Sequence, residues 1–200
     1  MCKSPYVKCP SCYTVISDPE RKLQNLAEPA PCCGDTGHIR ISWPMEDVLM
    51  FFEIVRQQDL NETKDRRIAI VFVSTMLELL LENVLWELLS AHTKSLQLAE
   101  SALDSYQGRE RRIKLYNRLS DHSLRDFFIQ HEFSSLLNDW EQLAKIRNKI
   151  VHGRYFAETT DALDERELIQ RITRSCLQAF FVLHNDAVRQ LNEQKIDSNE

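Results

Sequence analysis

Glycine and proline are the residues this chain uses least. It has four glycines in 200 residues, and its six prolines, Pro5, Pro10, Pro19, Pro29, Pro31 and Pro44, all fall in the first 44. So little glycine argues against a turn-rich all-β fold. The lack of proline beyond Pro44 leaves the rest of the chain free to form long helices. Cysteine is nearly missing after residue 33, where Cys176 stands alone. Positive charge is not in excess: the net charge is −5. That excludes a bulk polyanion binder and confines any nucleic-acid site to a local basic patch. The start, "MCKSPYVKCPSC", lacks the apolar core of a secretory signal. The longest apolar run, residues 68–89, carries Glu78, Glu82 and Glu87, each costly in hydrocarbon. It therefore reads as a buried central helix rather than a membrane span. A cytoplasmic setting is expected, where thiols stay reduced and clustered cysteines favour a metal over disulfides.

The composition shifts near Trp43. Residues 1–42 read as a small irregular module holding Cys2, Cys9, Cys12, Cys32 and Cys33; residues 43–200 read as helix almost throughout. Pro44 suits a first helical position for 44–58, with early acids behind it. A long central helix is expected over 62–91, shorter polar ones around 94–105 and 109–119, and one or two turns in 122–133. Residues 134–153 are periodic, with Leu136, Leu137, Trp140, Leu143, Ile146 and Ile150 at three- and four-residue steps and Gly153 as the stop. The last helix is expected over 159–194, capped by Thr160 or Asp161. The fold class is all-α, an antiparallel bundle of about five to seven helices behind the cysteine module. Trp140, Phe180 and Phe181 fall on core positions. His92, His122, His131 and His184 have no partner spacing and read as surface or packing residues.

Two constellations carry chemistry. The first is "KCPSC" (8–12) with "PCCG" (31–34). A tight turn lets two thiolates face one tetrahedral ion, and a distant second pair completes the set. The candidate metal ligands are Cys9, Cys12, Cys32 and Cys33, with Lys3 and Lys8 to favour thiolates. The arrangement resembles a zinc ribbon, which implies structural zinc. A standard second turn would place a cysteine at position 30, where Ala30 stands, so Cys32 sits beside Cys33 and needs a distorted backbone to share an ion. Cys2 or His38 is the alternative fourth ligand.

The second is "KIRNKIVHGRY" (145–155) at a helix end. Arg147 offers a permanent planar cation suited to phosphate, and an imidazole such as that of His152 suits proton transfer near neutrality. Five residues of helix turn through about 140°, so Arg147 and His152 do not share a face. Asn148 and His152, four apart, do. Lys145, Lys149 and Arg154 flank the pair as candidate RNA contacts. The plain alternative is a solvated helix end whose cations complement the dipole. A second basic stretch, "GRERRIKLYNRL" (108–119), either lines an RNA path or is a solvated helix face.

Arg147-Asn148-Lys149-Ile150-Val151-His152, ending a helix with a long buried helix upstream, resembles the R-x4-6-H signature of the HEPN superfamily. The resemblance covers residues 44–194 by helix order. It implies a metal-independent endoribonuclease that leaves 2′,3′-cyclic phosphate and 5′-OH ends, working as a homodimer whose two motifs face one RNA cleft. Arg147 and His152 match the catalytic pair and Asn148 the adjacent polar position. Glu78, or Glu82 one turn on, matches an acidic residue of the preceding long helix. The family setting is toxin–antitoxin or antiviral defence, with a regulatory or antitoxin partner. Some members continue to a tyrosine two places after the histidine; here Tyr155 comes one residue late. The alternative is a non-catalytic RNA- or protein-binding module of the same shape with a structural zinc.

Overall fold

The computed structural model describes residues 4–20, 22–24, 29–34, 41–93, 95–155 and 159–197. Its centre is the expected long helix, here α2 (Thr63–His92). Ile70, Val73, Met76, Leu77, Leu80, Leu81, Val84 and Leu85 of α2 have no exposed surface. A helix apolar on so many sides is stable only when covered on most of them. The cover comes from α1 (Glu46–Arg56), α3 (Leu96–Ser105), α4 (Arg109–Leu119), α6 (Ser134–Val151) and α7 (Thr159–Asp197), all packed on α2. Between α4 and α6 lies α5 (Leu124–Gln130), begun by Ser123, whose hydroxyl accepts from the Asp126 N–H at 3.1 Å. By length and composition α2 is also apolar enough to cross a membrane, but more than half of its most apolar window is buried inside the fold.

Two helix starts differ from expectation. Trp43 is still extended strand, so α1 begins at Glu46 with Met45 before it, and Pro44 lies outside the helix. The last helix already includes Thr159, so Thr160 and Asp161 fall within it rather than before it.

The cysteine module is a three-stranded antiparallel sheet in the order β2-β1-β3, from β1 (Tyr6–Lys8), β2 (Val15–Ser17) and β3 (Ile41–Trp43). Tyr6 pairs with both Ser17 and Trp43. The sheet thus reaches Trp43, and its side chains join the main core. Tyr6 stacks on Phe181 at 4.9 Å between ring centres, and the Trp43 ring lies against Phe181 and His184. Phe181 is partly buried against the main core and also anchors the module, whereas Trp140 and Phe180 are fully buried. Lys8 forms an ion pair with Glu87 of α2, so its charge is committed away from the thiols it was expected to serve. Asn185 of α7 accepts from the Val15 N–H at 2.8 Å and donates to the Val15 carbonyl at 2.9 Å.

Two histidines have partners that spacing did not reveal. His122 lies 3.1 Å from both Asp186 and the Tyr116 hydroxyl and stacks on Phe127. His184 is buried, with Nε2 3.3 Å from the Tyr13 carbonyl. A carbonyl can only accept, so Nε2 carries a proton, while Nδ1 is buried with no partner. Burial, then the charge of Lys8, lowers its pKa from 6.5 to about 3, against the opposing Tyr13 hydrogen bond. Between these two values the unfolded chain binds a proton that the folded one does not, so stability is lost as the pH is lowered through that window. We expect denaturation midpoints measured from pH 6.5 down to 3 to drop less steeply in His184→Gln than in the parent; equal slopes would show that His184 is not the titrating group.

Candidate functional site

The cysteine centre is built from two turns of the same shape. In the first, the Tyr13 N–H returns to the Cys9 carbonyl at 2.9 Å, with Tyr13 at φ 62°. In the second, the Gly34 N–H returns to the Ala30 carbonyl at 2.6 Å, with Gly34 at φ 71°. Ala30 thus occupies the place of Cys9, and Cys33 the place of Cys12. Cys32, one place earlier, supplies the missing thiol from within the turn. The expected distortion at Cys32–Cys33 is not needed: among the described residues of this turn, positive φ falls on Gly34, where it is cheap.

The four sulfurs lie within 4.8 Å of one another. Cys9 and Cys33 are 3.7 Å apart, Cys12 and Cys32 3.3 Å, and Cys32 and Cys33 3.8 Å. Ligands about 2.3 Å from a tetrahedral ion stand about 3.8 Å from each other, so the set fits such an ion with little rearrangement. Burial works against the Cys12 thiolate, but hydrogen bonds with Thr14 and the neighbouring thiols bring its pKa down to about 7. Burial and then its hydrogen bonds with the other thiols push Cys32 up. Four like charges cannot gather at this distance without a cation between them. The alternatives Cys2 and His38 lie outside the described residues.

The helix carrying the Arg-Asn motif ends in a Schellman turn. The Gly153 N–H bonds to the Ile150 carbonyl at 3.1 Å and the Arg154 N–H to the Lys149 carbonyl at 2.8 Å, with Gly153 at φ 66°. His152 is the last residue before that glycine and is exposed. The chain is pinned just beyond it: the Tyr155 hydroxyl donates to Glu165, which also pairs with the buried Arg66 at 3.4 Å, and the Arg67 guanidinium lies 4.5 Å from the Tyr155 ring centre. Burial, then the hydrogen bond and charge of Glu165, raises the Tyr155 pKa to about 12. The tyrosine near the motif is thus a structural anchor.

Arg147, Asn148 and Glu78 line one cleft of about 530 Å³, walled by α2, the start of α4, and α6. The Arg147 Nη1 donates to Asn148 Oδ1 at 3.2 Å, while its Nε is buried without a hydrogen-bond partner. Glu78 does not pair with Arg66 or Arg67. Arg112 of α4 reaches it at 3.9 Å and binds Glu82 at 2.5 Å. Lys145, paired with Glu141 at 2.7 Å, borders this cleft and a second one of about 440 Å³. Lys149 and Arg154 line the second, together with Tyr155, Asp164 and Glu165. His152 is not among the residues lining either cleft.

The basic stretch 108–119 divides. Arg109 and Arg111 line the first cleft, Arg112 is committed to Glu78 and Glu82, and Arg118 donates to the Tyr106 hydroxyl. Sequence reasoning missed Ser74, a buried side chain in the same cleft. The signal was available, since Ser74 lies one turn before Glu78 and shares its helix face.

Serine at Cys9, Cys12, Cys32 or Cys33 should each reduce bound zinc in protein refolded with the metal from one equivalent to a small fraction, measured by colorimetric release. Full retention in Cys32→Ser would remove Cys32 from the ligand set. Comparisons with protein-family models, with characterised proteins and with solved structures find no match, so the reading of both sites rests on their own residues.

Proposed function

We propose that the protein is a metal-independent endoribonuclease of the HEPN type, carrying a structural zinc in its N-terminal module. The observation that carries this reading is the placement of Arg147, Asn148 and Glu78 along one cleft at the end of α6, with His152 immediately beyond on a Schellman turn. In the reaction, a ribose 2′-oxygen attacks the adjacent phosphorus and its proton passes to a base. The bond from phosphorus to the 5′-oxygen breaks, and the leaving oxygen takes a proton from an acid. Imidazoles of His152 from two copies of the chain fill the base and acid roles. Arg147 stabilises the charge gathering on the phosphoryl oxygens, and Asn148 orients its guanidinium.

Within one protomer, Arg147 faces the cleft and His152 does not. A second copy bringing its own helix end to the same RNA would complete the set, which favours a homodimer. Zinc stays outside the chemistry in this reading. Four thiolates would close its coordination and leave no place for a catalytic water.

One observation favours the alternative, a non-catalytic RNA- or protein-binding module. Glu78 is held by Arg112, so the acidic residue is already neutralised without a substrate. Cleavage separates the two readings. Arg147→Ala and His152→Ala should each lower chelator-resistant RNA cleavage by about 10²–10⁴-fold, with 2′,3′-cyclic phosphate ends in the parent's products. Both variants should keep the parent's melting temperature, because both side chains border solvent. Variants that cleave as fast as the parent would remove the catalytic assignment.

A further inference from the structure

The start of α4 is electrostatically unusual. Its first turn carries Arg109, Arg111 and Arg112 against one acid, Glu110. A helix N-terminus already bears positive partial charge from its unpaired N–H groups, so cations there are unfavourable unless an anion joins them. Gly108, the residue before the helix, offers no side-chain cap. Arg112 has its own carboxylates on α2. The residues that open α4, Gly108, Arg109, Glu110 and Arg111, line the cleft instead.

Two further atoms in the same cleft want a partner. The Ser74 side chain is 1% exposed, and its Oγ has no hydrogen bond, not even to its own helix. The Nε of Arg147 is also buried and unpartnered. Unpaired buried donors are costly and uncommon. The cleft's carboxylates do not meet this need, because each has its own cation: Glu78 with Arg112, Glu110 with Arg109, and Glu141 with Lys145. Among the described residues, Arg111 and Arg147 have no carboxylate partner.

We infer that this cleft is a phosphate-binding site. A phosphate accepts from the first N–H groups of α4, from Arg111, from the Arg147 guanidinium and from the Ser74 hydroxyl, in a setting that already favours an anion. The group is either a phosphate monoester or an internucleotide phosphate of an RNA strand. As an RNA station, holding the strand beside the proposed cleavage point, it rests on the endonuclease reading; as a phosphate site it does not.

The test uses the full chain, labelled with nitrogen-15 and titrated at constant ionic strength with inorganic phosphate, adenosine 5′-monophosphate and a 2′-O-methyl RNA that cannot be cleaved. Inorganic phosphate should shift the amides of Arg109, Glu110 and Arg111 and the Arg147 Nε resonance, with saturation. Arg111→Ala and Ser74→Val should each weaken phosphate binding by about tenfold, while Arg118→Ala at the far end of α4 should not. Without phosphate, Ser74→Val should melt no lower than the parent, because it removes an unpaired hydroxyl; this separates a ligand-binding role from a packing one. Shifts that do not saturate, or that scatter over the basic surface, would overturn the site, as would parent-like binding in both variants.

The two readings fail separately. Saturable phosphate binding in a protein that cleaves no RNA upholds this site and sinks the endonuclease. Cleavage without saturable phosphate binding does the reverse. Tighter binding of the 2′-O-methyl RNA than of the mononucleotide supports the strand as the source, and the opposite order supports a monoester ligand.

Discussion

The burial of α2 is the constraint on which the rest of the architecture depends. Thirty residues of mostly apolar helix must be removed from water, and burying one large aliphatic side chain is worth roughly 1.5–3 kcal/mol. Five other helices pack against it for that reason. The few polar groups on α2 then decide where those helices attach. Arg66 draws in Glu165 of α7, Glu78 and Glu82 take Arg112 of α4, and Glu87 takes Lys8 of the sheet. Ser74 and Ser90 are exceptions, each with a buried hydroxyl that has no partner of its own. The helix that supplies the core thus also supplies the addresses of its neighbours, and one of its unanswered hydroxyls, that of Ser74, marks a cleft.

The two ends of the motif segment are fixed by different means. Arg147 is held within α6, against Asn148 and the cleft wall. His152 is held from its C-terminal side, by a left-handed glycine and then by Tyr155, locked between Glu165 and Arg67. Rigid support behind an exposed side chain limits the conformational freedom lost when a partner arrives. The network of Arg66, Glu165 and Tyr155 therefore matters to the site although it never faces either Arg147 or His152.

The helices are legible in the sequence because their signals are local. Periodicity places α2, α4 and α6 within about two residues of their observed ends, the usual slack at helix termini, and Gly153 marks the stop. The first cysteine turn is legible for the same reason. The features that escape such reading depend on pairing across the chain. Strands of three residues are too short for an alternating pattern. Nothing near Phe181 announces Tyr6, and nothing near Glu78 announces Arg112. Ala30 in a cysteine's place resembles a defect, because spacing alone does not show that Cys32 turns inward from the same loop. The site is half legible: its residue types, and the divergence of Arg147 from His152, can be read along the chain, but not that Ser74 and the start of α4 wall the cleft Arg147 lines.

The side-chain amide of Asn185 has a consequence for how the sheet can be approached. It presents a donor and an acceptor to Val15 as a neighbouring strand would. Val15 belongs to β2, the outer strand on that side, where unpaired backbone groups would otherwise invite another chain to add a strand. The bundle therefore blocks its own sheet from extending on that side. A partner reading the module there must do so through the side chains of the cysteine turns, by shape and charge, and not by backbone templating.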